Sequence, residues 1–166
     1  VGITNDGDST EQELVSLVPN TYMMPKNSPL GDLKIIIDNQ THHIEVKKAT
    51  LNQSRVYKYI TIVAKDPRAE YWVVIPAYEA MKMAIGRKGQ HSNNPFECMS
   101  LGKATAKKFE KFRCKPEELE LRIKKAIEES NSPKFIKFAN FAQEIRNDIL
   151  ILAENHQTKA KLLATL

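Results

Sequence analysis

Residues 31–47 constrain the local shape of this chain more tightly than any other stretch. The run Gly31-Asp32-Leu33-Lys34-Ile35-Ile36-Ile37-Asp38-Asn39-Gln40-Thr41-His42-His43-Ile44-Glu45-Val46-Lys47 alternates apolar and polar residues on both sides of a turn-forming cluster, as a β-hairpin does. With Asn39-Gln40 as a two-residue turn, position 32 faces position 47 and position 34 faces position 45. Side chains alternate across a sheet. Leu33, Ile35, Ile37, Ile44 and Val46 therefore fall on one face, and Asp32, Lys34, Ile36, His43, Glu45 and Lys47 on the other. One face is an apolar core surface. The other gathers two carboxylates and an ammonium.

Around this hairpin the chain reads as a mixed sheet with flanking helices. Thr10 and Glu13 have capping-box spacing and predict a short helix that stops before Pro19. A loop through Pro25, Ser28 and Pro29 leads into the hairpin. Residues 50–58 are polar and ambiguous, whereas Tyr59–Ala64 and Tyr71–Ile75 read as buried strands joined by a turn over Lys65–Glu70. Pro76 opens a helix to about Ile85, residues 86–95 form a polar loop, and Phe96–Leu101 suits a short strand. Pro116 and Pro133 sit at first-turn positions of two further helices, 117–129 and one running to about Ala153. The expected division is a core over 1–115 and a helical extension over 116–166 that packs or dimerises. In that extension Phe135, Phe138, Ala142, Ile145, Ile149 and Leu152 recur at helical spacing.

Composition narrows the function classes. With 42% hydrophobic and 27% charged residues over 166 positions, one domain can bury its own core. No run approaches the roughly 18 apolar residues of a membrane span, and no signal peptide is visible. Cys98 and Cys114 are too few for a zinc pattern or a disulfide framework. A reduced, cytoplasmic protein is the expectation. The net charge of +5 is unevenly placed. Residues 1–31 carry one lysine against four acids, a net −3, while 101–115 carry six cations (Lys103, Lys107, Lys108, Lys111, Arg113, Lys115) against Glu110, a net +5. A block that equals the whole net charge points to a polyanion, although a solvated helix face has the same composition.

Two carboxylates on neighbouring strands repel each other unless a cation lies between them. Mg²⁺ suits Asp32 and Glu45, because it takes oxygen ligands, uses one or two carboxylates and keeps several waters; Mn²⁺ is the expected substitute. The Val46 carbonyl offers one more oxygen. Beside a phosphodiester such an ion polarises a phosphoryl oxygen and lowers the pKa of bound water. Lys47, on the same face, can orient that water and offset developing charge. The plainer alternative is a surface ion pair between Asp32 and Lys47 worth ~0.2–1 kcal/mol. His42 and His43 alternate to opposite faces, which argues against joint ligation.

Asp32, the twelve residues that follow it and the triplet Glu45-Val46-Lys47 resemble the PD-(D/E)XK nuclease superfamily, with Gly31 in place of the motif proline. The similarity spans residues 9–75. The resemblance implies a restriction-endonuclease-like α/β core, and it gives Asp32, Glu45 and Lys47 catalytic roles. Glu11-Gln12-Glu13-Leu14-Val15 is similar to the N-terminal helix of archaeal Holliday-junction resolvases, whose glutamate joins the metal site. That match implies Glu11 first and Glu13 second. Ser28 resembles a serine of those resolvases, one residue further from the aspartate.

Candidate DNA contacts complete the reading. Arg87 and Lys88 offer phosphate donors beside Gln90, His91, Asn93 and Asn94, which suit base edges. Arg55 and Lys58 interleave with tyrosines just after the triplet, and Lys103 and Lys107 open the basic segment. The expected activity is Mg²⁺-dependent endonucleolytic cleavage of DNA by a homodimer, sequence-specific on duplex in a restriction-like or homing-like manner. Junction resolution is the first alternative, and a non-catalytic nucleic-acid-binding module the second.

Overall fold

In the computed structural model, residues 6–26, 28, 30–55, 61–84, 97–133 and 135–138 are described. They form α1 (Asp6–Leu17), β1 (Thr21–Met23), β2 (Leu33–Ile37), β3 (Gln40–Lys48), β4 (Thr50–Arg55), β5 (Thr61–Asp66), β6 (Tyr71–Ile75), α2 (Ala77–Ala84), β7 (Glu97–Lys103), β8 (Arg113–Cys114) and α3 (Leu119–Ser130). Two short 3-10 helices, Lys107–Phe112 and Pro116–Glu118, flank β8. Six strands make a mixed sheet in the order β1-β2-β3-β5-β6-β8, and β4 pairs with β7 in a separate two-stranded sheet. Every pairing is antiparallel except β3 with β5. The expected α/β class, a mixed sheet flanked by helices with helices at the C-terminal side, is the observed one.

Two apolar clusters sandwich the sheet. On one face Leu14 of α1, Val18 just after it, and Leu119, Ile123, Ala126 and Ile127 of α3 pack on Leu33, Ile35, Ile44, Val46, Val63, Trp72 and Val74. On the other face α2, the β4–β7 pair, Phe109, Phe135 and Phe138 cover Ile62, Ala64, Val73 and Ile75. Strands β5 and β6 are thus covered on both sides, which explains their nearly unbroken apolar runs. Among the described residues, strands β2 and β3 have helices packed on one side only, which matches their alternation. Among the described residues, no helix is long and apolar enough to cross a membrane.

The expected elements shift where tertiary contacts outweigh local pattern. Helix α1 begins at Asp6, so Thr10 is not its cap. Thr10 is buried, on the face it shares with Leu14 one turn later. The presumed loop before the hairpin contains β1, held by pairing Thr21, Tyr22 and Met23 with Ile35, Lys34 and Leu33. The ambiguous residues after 50 form β4, whose partner β7 is some fifty residues away (Thr50 opposite Lys103). Strand β5 runs on to Asp66, into the presumed turn. The buried Asp66 carboxylate accepts hydrogen bonds from the Arg68 backbone N–H at 2.9 Å and from its guanidinium at 3.0 Å, so the strand's last side chain builds the turn. After α2, the basic segment is a 3-10 helix and a two-residue edge strand rather than continuous α-helix.

Candidate metal centre

The hairpin turn is Asp38-Asn39, one residue earlier than Asn39-Gln40. Both residues have positive φ (50° and 62°), the backbone of a two-residue turn whose twist matches the strands, and Asp and Asn tolerate it best. Observed pairs are Ile37 with Gln40, Ile35 with His42, Lys34 with His43 and Leu33 with Ile44. A slip of one residue would have exchanged the faces; this shift moves the pairing by two, so each side chain keeps its face. What changes is the partner. The last regular pair is Leu33 with Ile44, and Asp32 also bonds to Ile44, so it enters the hairpin at an irregular step beside Ile44–Val46 and not opposite Lys47.

Asp32 is fixed from both sides. Its N–H donates to the Ile44 carbonyl at 3.0 Å, and its own carbonyl accepts the Met24 N–H at 3.0 Å. Oδ2 accepts the Val46 N–H at 2.8 Å. In a continued ladder that N–H would meet the carbonyl of residue 31. Gly31, however, has φ +106°, a left-handed conformation that glycine adopts without steric cost, and the chain turns away there. The Asp32 carboxylate takes over the lost acceptor position, with lone pairs to spare on its two oxygens. The N–H and C=O of one strand residue point to the same side, so the Val46 carbonyl is directed toward Asp32 as well.

Glu45 and Lys47 are next on this face. Lys47 Nζ lies 3.2 Å from Glu45 Oε1, with the side chains 15% and 31% exposed respectively. One step before Glu45 is His43, half-buried, its Nδ1 buried without a hydrogen-bond partner. Burial first, then the neighbouring His42 and Lys34, pull its pKa below the usual imidazole value, which keeps the ring neutral at neutral pH. The two histidines lie on opposite faces, as alternation requires.

The other candidates are placed unevenly. Helix α1 covers the opposite face of the sheet, and Glu13 makes an ion pair with Lys65 there. Glu11 is half-buried two residues earlier on the same helix. Among the described residues, no group of three or more His, Cys, Asp or Glu side chains is arranged to hold a metal ion, so neither glutamate joins Asp32 and Glu45. Lys103 and Lys107 are exposed, and pairing brings the first of them close. Thr50 pairs with Lys103, and the Ala104 N–H donates to the Ala49 carbonyl at 2.7 Å. The basic segment thus starts two residues beyond Lys47, a proximity that sequence distance conceals. Arg55 ends β4, with only its backbone described; Lys58, Arg87, Lys88, Gln90 and His91 lie outside the described residues, as does the 86–95 loop.

The Asp32 carboxylate on the Val46 N–H, the Glu45 carboxylate one residue earlier on β3 and the Val46 carbonyl are oxygen donors of the kind Mg²⁺ or Mn²⁺ takes, with water completing the shell. No family model matches this chain, and no curated protein does.

Proposed function

We propose that this protein is a metal-dependent nuclease that hydrolyses DNA phosphodiester bonds. The observations that carry the reading are the Asp32 carboxylate seated on the Val46 N–H and the Glu45–Lys47 pair that flanks Val46 on the same strand. Asp32, Glu45 and the Val46 carbonyl would hold Mg²⁺, and Mn²⁺ could replace it. The bound ion would supply positive charge at the phosphoryl oxygen and a more acidic water. Lys47 holds the attacking water and balances charge that grows on the phosphate. Val46 and Met24 fix Asp32 in advance, so little reorganisation is needed. Lys103, beside the end of β3, and Lys107, four residues further on, hold the phosphate backbone. Glu11, on the helix that covers the opposite face, has no part in this centre.

Sequence-specific duplex cleavage follows from the base-reading composition of the 86–95 loop, and junction resolution from the resemblance over residues 9–47. Either would use two copies of the site, as a closed dimer supplies. A non-catalytic nucleic-acid-binding reading is favoured by one observation: Lys47 and the Val46 N–H already compensate the two carboxylates. Supercoiled plasmid and a four-way junction, each with Mg²⁺ and with EDTA, separate the readings. The expected result is Mg²⁺-dependent cutting that Lys47→Ala abolishes. Fixed fragments from plasmid would indicate sequence specificity, and paired nicks on the junction alone would indicate resolution. Salt-sensitive binding with no cutting under any condition would leave only the binding module.

A further inference from the structure

The face that carries Asp32, Glu45 and Lys47 continues to the edge of the sheet, where its side chains become aromatic and cationic. Tyr22 pairs with Lys34, and Lys34 with His43, so these three form one row across β1, β2 and β3. The next residue of this face on β3 is Glu45, and Asp32 lies beside it, on the Val46 N–H. Neighbours within a row are about 4.8 Å apart and successive rows on one face about 6.8 Å, so the Tyr22 row lies within one nucleotide's reach of the carboxylates. Tyr22 is 47% exposed, and Lys34 Nζ stands 5.9 Å from its ring centroid. His43 adds the Nδ1 without a partner. Among the described residues this half of the face has no helix laid over it: α1 packs on the reverse side, and α2 packs chiefly on β5, β7 and α3.

We propose that Tyr22 and Lys34 form a nucleotide subsite beside the reaction centre, which takes an unpaired base on the Tyr22 ring and its phosphate on the Lys34 ammonium. The substrate is then DNA with single-stranded or locally unpaired nucleotides next to the cut. The inference rests on the nuclease reading of the carboxylate face. Its logic is steric and electrostatic. A ring can stack only on a base whose face is open, which a paired base inside a duplex does not offer. Among the described residues this face also carries no protruding helix or ribbon of the kind that reads a major groove. An aromatic ring with a cation at hand is the pairing that single-strand binders use, and the cation meets the phosphate charge.

The test is equilibrium binding, by fluorescence anisotropy in EDTA, of a labelled single-stranded oligonucleotide and of the same sequence as blunt duplex. Wild type, Tyr22→Ala and Tyr22→Phe are compared, each first shown to melt like wild type. The expected result is preference for the single strand, a loss of at least about fivefold in Tyr22→Ala on that ligand, and retention by Tyr22→Phe. Equal single-strand affinity of wild type and Tyr22→Ala would overturn the subsite, as would a matching loss on duplex. Because binding is read without metal, the outcome is independent of the cleavage test. Mg²⁺-dependent cutting with no Tyr22 effect would remove the subsite and keep the nuclease; a Tyr22 effect with no cutting would do the reverse.

Discussion

The two halves of the main sheet differ in how they are covered, and the difference separates stability from chemistry. Strands β5 and β6 are buried on both faces, and the residues that would carry charge are confined to their ends: Lys65 and Asp66 on one strand, Tyr71 on the other. Strands β2 and β3 carry a buried apolar face on one side, and their other face, over which no helix among the described residues is laid, holds the half-buried Lys34, His43, Glu45 and Lys47 with Asp32 beside them. A carboxylate pair could not lie in the β5–β6 half without leaving water on both sides, at heavy desolvation cost. In the β2–β3 half the same pair stays half-exposed while its strands are anchored from behind. On the proposed reading, the fully buried half supports and the half-exposed one carries the chemistry.

Adjacent residues give the largest contrast. Ile35 is 1% exposed on the covered face, and Ile36 is 37% exposed on the open one. Ile35→Ala should cost ~2–5 kcal/mol in urea unfolding, and Ile36→Ala less than ~0.5 kcal/mol. Equal losses would mean that the open face is covered after all.

Next in size is Lys47→Ala, which should lower Mg²⁺-dependent cleavage by ~10²–10³-fold while changing stability by less than ~1 kcal/mol. A fall in melting temperature that explains the lost activity would assign Lys47 to the scaffold.

On the covered side, burial pushes the Cys114 thiol up from 9.0 to about 11. A raised folded-state pKa contributes stability that is fully present below pH 9 and lost as pH rises through about 11, of order 2 kcal/mol. In a Cys98→Ser background the thiol should resist a thiol reagent at pH 8 until the protein unfolds. Rapid native-state labelling would show that β8 opens.

The smallest effect concerns the β5 end. Hydrogen bonds from the Arg68 side chain and then its backbone hold the Asp66 pKa below the usual carboxylate value against the opposing pull of burial. A lowered folded-state pKa gives stability that is present above the ordinary carboxylate range and lost as pH falls through the folded value. Asp66→Asn should therefore flatten the acid limb of the stability profile. The change is modest because the Arg68 side chain is 78% exposed and screened by solvent. An unchanged acid limb would remove Asp66 as its source.

These same contrasts set what was legible in the sequence. The two-residue alternation of 33–37 and 44–47 gave both faces of the hairpin, and the apolar runs gave β5 and β6, because each pattern reports burial directly. The turn was misplaced by one residue because Asp38, Asn39 and Gln40 offer two acceptable turns, and only pairing selects between them. Strands β1 and β4 were hidden because three residues cannot show a period, and because the partner of β4 lies some fifty residues away. The proximity of Lys103 to the end of β3 and the row from Tyr22 to His43 depend on those pairings, and the seat of the Asp32 carboxylate on the Val46 N–H depends on the left-handed turn at Gly31. The residue types of the centre were visible in the chain; their contacts were not.

The central claim is that Asp32 and Glu45 act together as one divalent-metal site on the open face. The most direct measurement is a Mn²⁺ titration followed by electron paramagnetic resonance, with wild type, Asp32→Asn and Glu45→Gln. The expected result is specific Mn²⁺ binding by wild type, competed by Mg²⁺, that either substitution alone removes while the fold remains intact. Mn²⁺ binding that persists unchanged in both variants, or none by wild type, would contradict the claim.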